Sequence, residues 1–292
     1  MEPAAEQSKL GHFLSVDVES ACQATNLAPY FSTRNHPAQS AALRARVSPN
    51  LQNILALFAE HQVKATFFVC GNLQTELSDR LDSIRESGHI VASHGYAHEN
   101  LRSLSFDTWR KDVEKSVKTL APWLPAKGDR AYRAPDFSLP FWKADYYKAL
   151  ADMGFSSSSS VMAARVPRAE WQRLSKTKKT SLLAGKPFEV LDGGVALREF
   201  PIPSFRFLSV PLAFGGGFWL RVFPFTWNQF HMRRCQHQNR SFHLYLHPWE
   251  VDTEQEKLPI PLLRRLRQYA GVNGLPKRVA RVLDEFAFRP LP

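Results

Sequence analysis

Apolar runs of strand length alternate with segments of helical period along most of this chain. Residues 12–18 (HFLSVDV) read as a first strand, an apolar run broken by Ser15 and Asp17. Ser48 in an N-cap position, Pro49 after it, and Leu51, Ile54, Leu55 and Phe58 on one face predict a helix. Residues 64–70 (KATFFVC), rich in β-branched and aromatic side chains, predict a second strand that Gly71 stops. A helix across Leu77, Leu81 and Ile84 ends near Gly88, and residues 90–93 (IVAS) resume a strand. Phe106, Trp109, Val113, Val117 and Leu120 recur at three and four residues in a helix that Ser105 opens. Residues 130–133 predict a short strand, 141–153 a helix with Gly154 past its end, 197–201 a strand and 241–247 (SFHLYLH) another; helical patterns lie around 262–269 and 279–286. Such alternation implies an α/β architecture with largely parallel strands. No fixed-period repeat occurs, and the serine run 156–160 reads as a short low-complexity stretch. The expected organisation is a flexible residue 1–10 segment, then one domain over 11–292 with a helical extension from about residue 257.

Composition narrows the class. With 292 residues, 44% of them apolar, the chain can bury a sizeable core and is no disordered tail. Its formal charge of +11 is concentrated: residues 164–180 carry six basic residues against Glu170, and the segment from Lys257 carries eight against Asp284 and Glu285. The remainder is neutral, so a whole-surface polycation is excluded and an anionic partner would meet two patches. No nucleic-acid recognition module is legible, so no nucleic-acid partner is expected. Cys22, Cys70 and Cys235 share no metal-ligand spacing and form no disulfide framework, which fits a reducing compartment. The opening MEPAAEQSKLGHF has no apolar signal-peptide core, and the charge-free residues 207–220 are too short and glycine-broken to span a bilayer. A cytoplasmic location is expected; the basic patches could dock on anionic lipid or a diphosphate-linked glycan at a membrane surface, with solvated helix faces as the ordinary alternative.

Several side chains could do chemistry. Asp17 and Glu19, two apart at the first strand, project from the same side, and two carboxylates there need a cation if both are ionised in a dry core. The ordinary alternative is one at a solvated strand end and one capping a turn. His94 and His98 in SHGYAH, four apart after a strand, can reach one metal; surface or core histidines are the ordinary alternative. One carboxylate with two histidines makes a facial metal set, and acyl hydrolysis needs a second carboxylate as base. Arg133 in YRAPDFS, with Pro135 fixing the turn, can hold a carboxylate ionised or be a surface loop arginine. His247 ends a strand where catalytic groups of α/β barrels collect, and Trp249 beside it can stack on a sugar. His243, on the same strand face, reads as a core or supporting residue. Phe214, Phe218 and Trp219 could wall a sugar site or lie in a buried turn.

Taken together, LSVDVES, RVSPNLQNILALFAEHQVKATFFVCGNL, HIVASHGYAHE, YRAPDFS, SSSSSV and HLYLHPWEVD resemble, in order, the motifs of the polysaccharide deacetylases, the NodB-homology group or carbohydrate esterase family 4. The likeness is nearest to cytoplasmic-type members associated with exopolysaccharide clusters, and RRLRQYAGVNGLPKRVARVLDEFAF is similar to their C-terminal extension. The resemblance implies a distorted (β/α) barrel of about seven strands and a divalent metal, usually zinc. By position, it implies Asp17 as general base, Glu19, His94 and His98 as metal ligands, Arg133 orienting the base, and His247 as general acid, with Tyr96, Pro135, Trp219 and Trp249 as substrate contacts. The implied reaction releases acetate from an N-acetylhexosamine in a polysaccharide or lipid-linked glycan. Glutamate at position 19, where many members carry aspartate, leaves the metal's identity open, and Ser20 stands where closer relatives carry an acid. Hydrolysis of another small or cyclic amide, or a catalytically silent glycan- or membrane-binding barrel, remain the alternatives.

Overall fold

Seven strands form a parallel ladder in the order β10, β1, β2, β3, β4, β5, β7. They are β1 (His12–Val18), β2 (Thr66–Val69), β3 (Ile90–Ser93), β4 (Arg130–Tyr132), β5 (Phe155–Ser158), β7 (Val195–Glu199) and β10 (His243–Leu246). The strand β6 (Phe188–Asp192) adds an antiparallel edge to β7, and β11 (Phe288–Arg289) pairs with the start of β1. A separate hairpin joins β8 (Ser204–Phe207) to β9 (Val210–Ala213). These observations come from a computed structural model that describes residues 11–31, 35–192, 195–207 and 210–292; the expected flexible segment 1–10 lies outside the described residues. Among the described residues the ladder does not close between β7 and β10, which makes the barrel a distorted one.

Eleven helices pack around the ladder: α1 (Pro37–Ala45), α2 (Val47–Glu60), α3 (Gln74–Glu86), α4 (Phe106–Leu120), α5 (Ala144–Asp152), α6 (Arg168–Arg173), α7 (Lys176–Leu183), α8 (Gly217–Val222), α9 (Phe225–His237), α10 (Leu262–Tyr269) and α11 (Leu275–Glu285), counted over the described residues. None is long and apolar enough to cross a membrane. The alternation along β1 divides two layers. Leu14, Val16 and Val18 join Leu51, Ile54 and Phe58 of α2, Leu77 and Leu81 of α3, and Val279 and Val282 of α11 in one core. Phe13 faces the barrel interior with Phe68, Ala92, Ala131 and Phe200. Burying each large side chain contributes roughly 1.5–3 kcal/mol, so Phe58→Ala, at a fully buried site, should cost about 3–5 kcal/mol.

Three local expectations are corrected. Ser48 caps no helix: α2 starts at Val47 with Arg46 in the N-cap position, so Ser48 already lies inside its first turn. Pro49 falls in the first turn, where its missing N–H leaves no bond unmade. The helix read over 141–153 begins only at Ala144, because Lys143 is extended. The serine run is no low-complexity stretch: Ser157 to Ser160 are buried in β5 and the turn after it.

Register decides where function sits. Val18 pairs with Val69, Val69 with Ser93, and Ser93 with Tyr132. The residues that follow, Glu19, Cys70, His94 and Arg133, therefore stand side by side on the carboxyl rim. On the other flank Val16 pairs with Leu246, which sets Asp17 next to His247.

Candidate active site

That rim opens into a cavity of about 810 Å³, lined among others by Asp17, Glu19, His94, His98, Trp219 and His247. Arg133 lies beneath its floor, fully buried, with its guanidinium 4.1 Å from the Phe68 ring centre. Its donors are spent in a fixed pattern. Nη1 donates to Asp17 Oδ1 at 2.6 Å and to Ser15 Oγ at 2.8 Å, while Nε and Nη2 donate to the Ser159 carbonyl and hydroxyl at 3.1 and 3.0 Å. A buried charge needs this degree of pairing to be tolerated. The small serine side chains leave room for the guanidinium and supply acceptors to it. Ser160 Oγ accepts from Ala134 N at 2.9 Å, and Glu199 accepts from the backbone of Ser160 and Val161, so the turn carrying Arg133 and the serine turn are tied together.

Glu19, His94 and His98 each bring one ligand atom to a cluster whose members all lie within 4.8 Å of one another. The donor set fits a divalent metal on independent grounds. His94 Nδ1 donates to the Arg133 carbonyl at 2.8 Å, which leaves Nε2 unprotonated and free to ligate. Burial pushes the His94 imidazole down to about 4, and the neutral ring is the ligating form. His98 Nε2 meets Glu19 Oε2 directly. Burial alone would raise Glu19, yet His98, His247 and His94 hold its carboxyl down at about 2. His98 is raised by Glu19 against its own burial.

The turn between the two histidines has its own support. Asp112 of α4 accepts from Tyr96 N at 2.7 Å and from Ala97 N at 3.0 Å. Gly95 has φ +75°, and a Cβ there would stand 2.9 Å from the Asp112 carboxylate, so glycine is required. His98 itself has φ +59°, a conformation non-glycine residues hold only when their surroundings impose it.

His247 approaches from β10. Its Nε2 lies 4.0 Å from Asp17 Oδ2 and 3.8 Å from Glu19 Oε1, and its Nδ1 donates to Glu250 Oε2 at 2.8 Å. Burial works against the imidazolium, but Glu250, Glu19 and Asp17 raise it to about 9, so it carries its proton at neutral pH. Behind Glu250 stands Arg221, 3.2 Å away as an ion pair, both side chains fully buried. Arg221 also donates to the carbonyls of Gln268 and Ala270 at 3.0 Å, capping α10.

The structure thus gathers Asp17, Glu19, His94, His98, Arg133 and His247 about one cavity. Trp249 lines it, but its ring stacks on His247 at 5.1 Å and its N–H donates to Glu19 Oε1 at 3.3 Å, which commits it to positioning those groups. Trp219 and Phe218 form part of the wall, whereas Phe214 belongs to the core. Tyr96 and Pro135 do not line the cavity: the Tyr96 ring lies under the Lys115 ammonium at 3.7 Å, and Pro135 is buried against the Gly95 turn. His243 is buried, and beside Arg133 burial drives it well below its ordinary range. Sequence reasoning overlooked Glu250, Arg221, Ser159 and Asp112. Glu250, three residues past His247 after a proline, and Ser159, within the SSSSSV stretch, had a local signal. The basic segments also reach the site, contrary to their reading as separate patches, because Arg165 and Arg267 line the same cavity.

The chain is similar to known proteins in two consecutive parts. Residues 42–157 match the family model "polysaccharide deacetylase", and residues 159–291 match a domain of unknown function, DUF3473. A peptidoglycan-N-acetylglucosamine deacetylase of Bacillus cereus is 33% identical over 67 residues, 23% of this chain and 24% of that protein. A chitooligosaccharide deacetylase of Rhizobium leguminosarum bv. trifolii is 28% identical over 95 residues, 32% of this chain and 41% of that protein. The chain therefore aligns with less than half the length of either relative. A Mycobacterium smegmatis structure assigned to the polysaccharide deacetylases superposes with TM-score 0.57 at 19% identity, over 96% of this chain and 88% of that one. The Puue allantoinase structure superposes with TM-score 0.53 at 12% identity, over 95% and 87%. At these identities the two structures share the fold.

Proposed function

This chain carries a polysaccharide deacetylase domain, of the NodB-homology or carbohydrate esterase family 4 type, and from that premise we propose that it hydrolyses the N-acetyl group of an N-acetylhexosamine in a glycan, polymeric or lipid-linked, releasing acetate. The observation that carries the proposal is the pairing of two oppositely equipped groups across the Glu19, His94 and His98 cluster: a carboxylate tied to Arg133 and an imidazolium tied to Glu250.

Glu19, His94 and His98 would hold a divalent metal, zinc by the resemblance, which when bound polarises the amide carbonyl and acidifies water. Asp17 takes the proton of the attacking water. Its Oδ1 is occupied by Arg133, so Oδ2 is the basic atom, and the guanidinium keeps the carboxylate in place. His247 gives its proton from Nε2 to the leaving amine, with Nδ1 held by Glu250 so that the ring cannot turn. The two groups are 4.0 Å apart, close enough for both to face one scissile amide. Phe218 and Trp219 give the sugar an apolar wall. Acetate release from N-acetylglucosamine oligomers, measured with and without chelator, tests the proposal. Asp17→Asn and His247→Ala should each lower the rate about 100-fold or more, and undiminished hydrolysis by metal-free protein would refute it.

A further inference from the structure

The helix α10 is amphipathic in the wrong sense for a surface helix. Its inward side is polar: Gln268, fully buried, bonds with Asn26 and Gln255, and the Arg264 carbonyl accepts from Asn26. Its outward side is apolar, with Leu262 69%, Leu263 80% and Leu266 55% exposed. At about 100° per residue these three leucines cover one arc of the helix, with Arg265 at one margin and Arg267 at the other. Val222, 45% exposed, continues the surface, and Leu263, Leu266 and Val222 stand at the rim of the catalytic cavity.

The surrounding charge says what covers this face. Arg264, Arg265 and Arg267 make no ion pair with their side chains among the described residues, nor does Arg165 across the mouth. Burial, and then the neighbouring charges of Arg165 and Arg264, lower Arg267. The acids at hand are Asp136, bonded to Thr25 and Asn100 inside the mouth, and Glu256, whose backbone carbonyl accepts from the Tyr269 hydroxyl. Leucines between guanidiniums fit a surface with apolar depth and negative charge, which is an anionic bilayer.

We propose that the leucine face of α10 docks on anionic lipid and seats the cavity mouth at the membrane surface. Arg221 makes this a rigid attachment, since it caps α10 and pairs with Glu250 behind His247. The inference stands on α10 and does not depend on the reaction assigned to the cavity.

Co-sedimentation of the full chain with vesicles decides it, because it reads lipid binding whether or not acetate is released. Vesicles of phosphatidylcholine with about a third phosphatidylglycerol should carry the protein down, and pure phosphatidylcholine should carry little. The combined Leu262→Ser, Leu263→Ser and Leu266→Ser variant should bind at least about tenfold more weakly. Arg264→Gln and Arg265→Gln, whose side chains make no ion pair among the described residues, should each weaken binding about fivefold, as should added salt. Wild-type protein left in the supernatant, or a leucine variant that sediments like wild type, overturns the proposal. So does sedimentation velocity that finds the leucine face closing a dimer.

Discussion

His247 Nδ1 and Glu250 Oε2 stand 2.8 Å apart, and the same carboxylate balances the fully buried Arg221. Glu250 therefore has two dependants, and its substitutions should separate them. Glu250→Gln keeps the shape, loses the charge that holds the imidazolium, and should lower kcat about 100-fold with little change in KM. Glu250→Ala should in addition lose about 3–5 kcal/mol of stability, because Arg221 is left buried without a counter-charge. Acetate release and urea unfolding measure the two effects. A Glu250→Gln enzyme with wild-type kcat would remove the residue from the proposed mechanism.

Gly217 tests the same pair from the other side. A Cβ at this position would lie 1.9 Å from Glu250 Oε2, so Gly217→Ala must displace the carboxylate. The expected result is a fall in kcat like that of Glu250→Gln, together with a lower Tm. Alanine accepted here with full activity would mean that His247 does not need Glu250 in place.

At Arg133, geometry outweighs charge. An ammonium cannot reach Ser15, Asp17 and both Ser159 acceptors at once, so Arg133→Lys should lower both activity and Tm even though the charge is kept. Ser159→Ala removes one neutral acceptor and should cost only about 1 kcal/mol. Equal losses from the two variants would contradict this ranking.

Metal binding should register as stability. Zinc at about 100 times its Kd should stabilise the wild type by about 2.7 kcal/mol, and chelator should reverse this. Glu19→Gln, His94→Ala and His98→Ala should abolish the response, since each removes one of the three ligand atoms. Melting curves that ignore both zinc and chelator in the wild type would count against the cluster as a metal site.

Acid should destabilise the fold through histidines remote from the cluster. His12 and His89 are buried and pushed down to about 4, and each accepts a backbone N–H at Nδ1, from Phe242 and Ala65, which only a neutral ring can do. The unfolded chain takes up these protons near pH 6.5 and the folded one only near 4, so stability is full above about 6.5 and falls as pH drops. The slope should approach about 1.4 kcal/mol per pH unit for each histidine. Urea midpoints at several pH values measure it, and a flat profile from 6.5 to 4.5 would show the rings to be solvated.

Much of this molecule is written locally. The alternation in HFLSVDV requires a strand with one side toward helices and the other inward, and Phe13, Asp17 and Val18 take those sides. The period of Trp109, Val113 and Leu120 requires a helix, with the Ser105 cap oxygen accepting from Thr108 N. Spacing alone placed His94 and His98 on one short turn. These features depend on residues within a few positions of one another, so short-range sterics and periodicity settle them.

What the sequence could not determine is every relation between distant residues. Glu250 is three positions from His247, but its partner Arg221 arrives from another helix, and Ser159 reaches Arg133 only because β5 lies beside β4. The serine run looked like filler until packing made Ser159 and Ser160 the acceptors for Arg133 and Ala134 N. The leucines of α10 carried an ordinary amphipathic pattern; only packing revealed that Gln268 faces in and the leucines face out. The sequence by itself determined the strands, the helices and the chemical groups at their ends. The tertiary structure decided which groups meet and which face water, because both follow from strand register and packing, which no local pattern encodes.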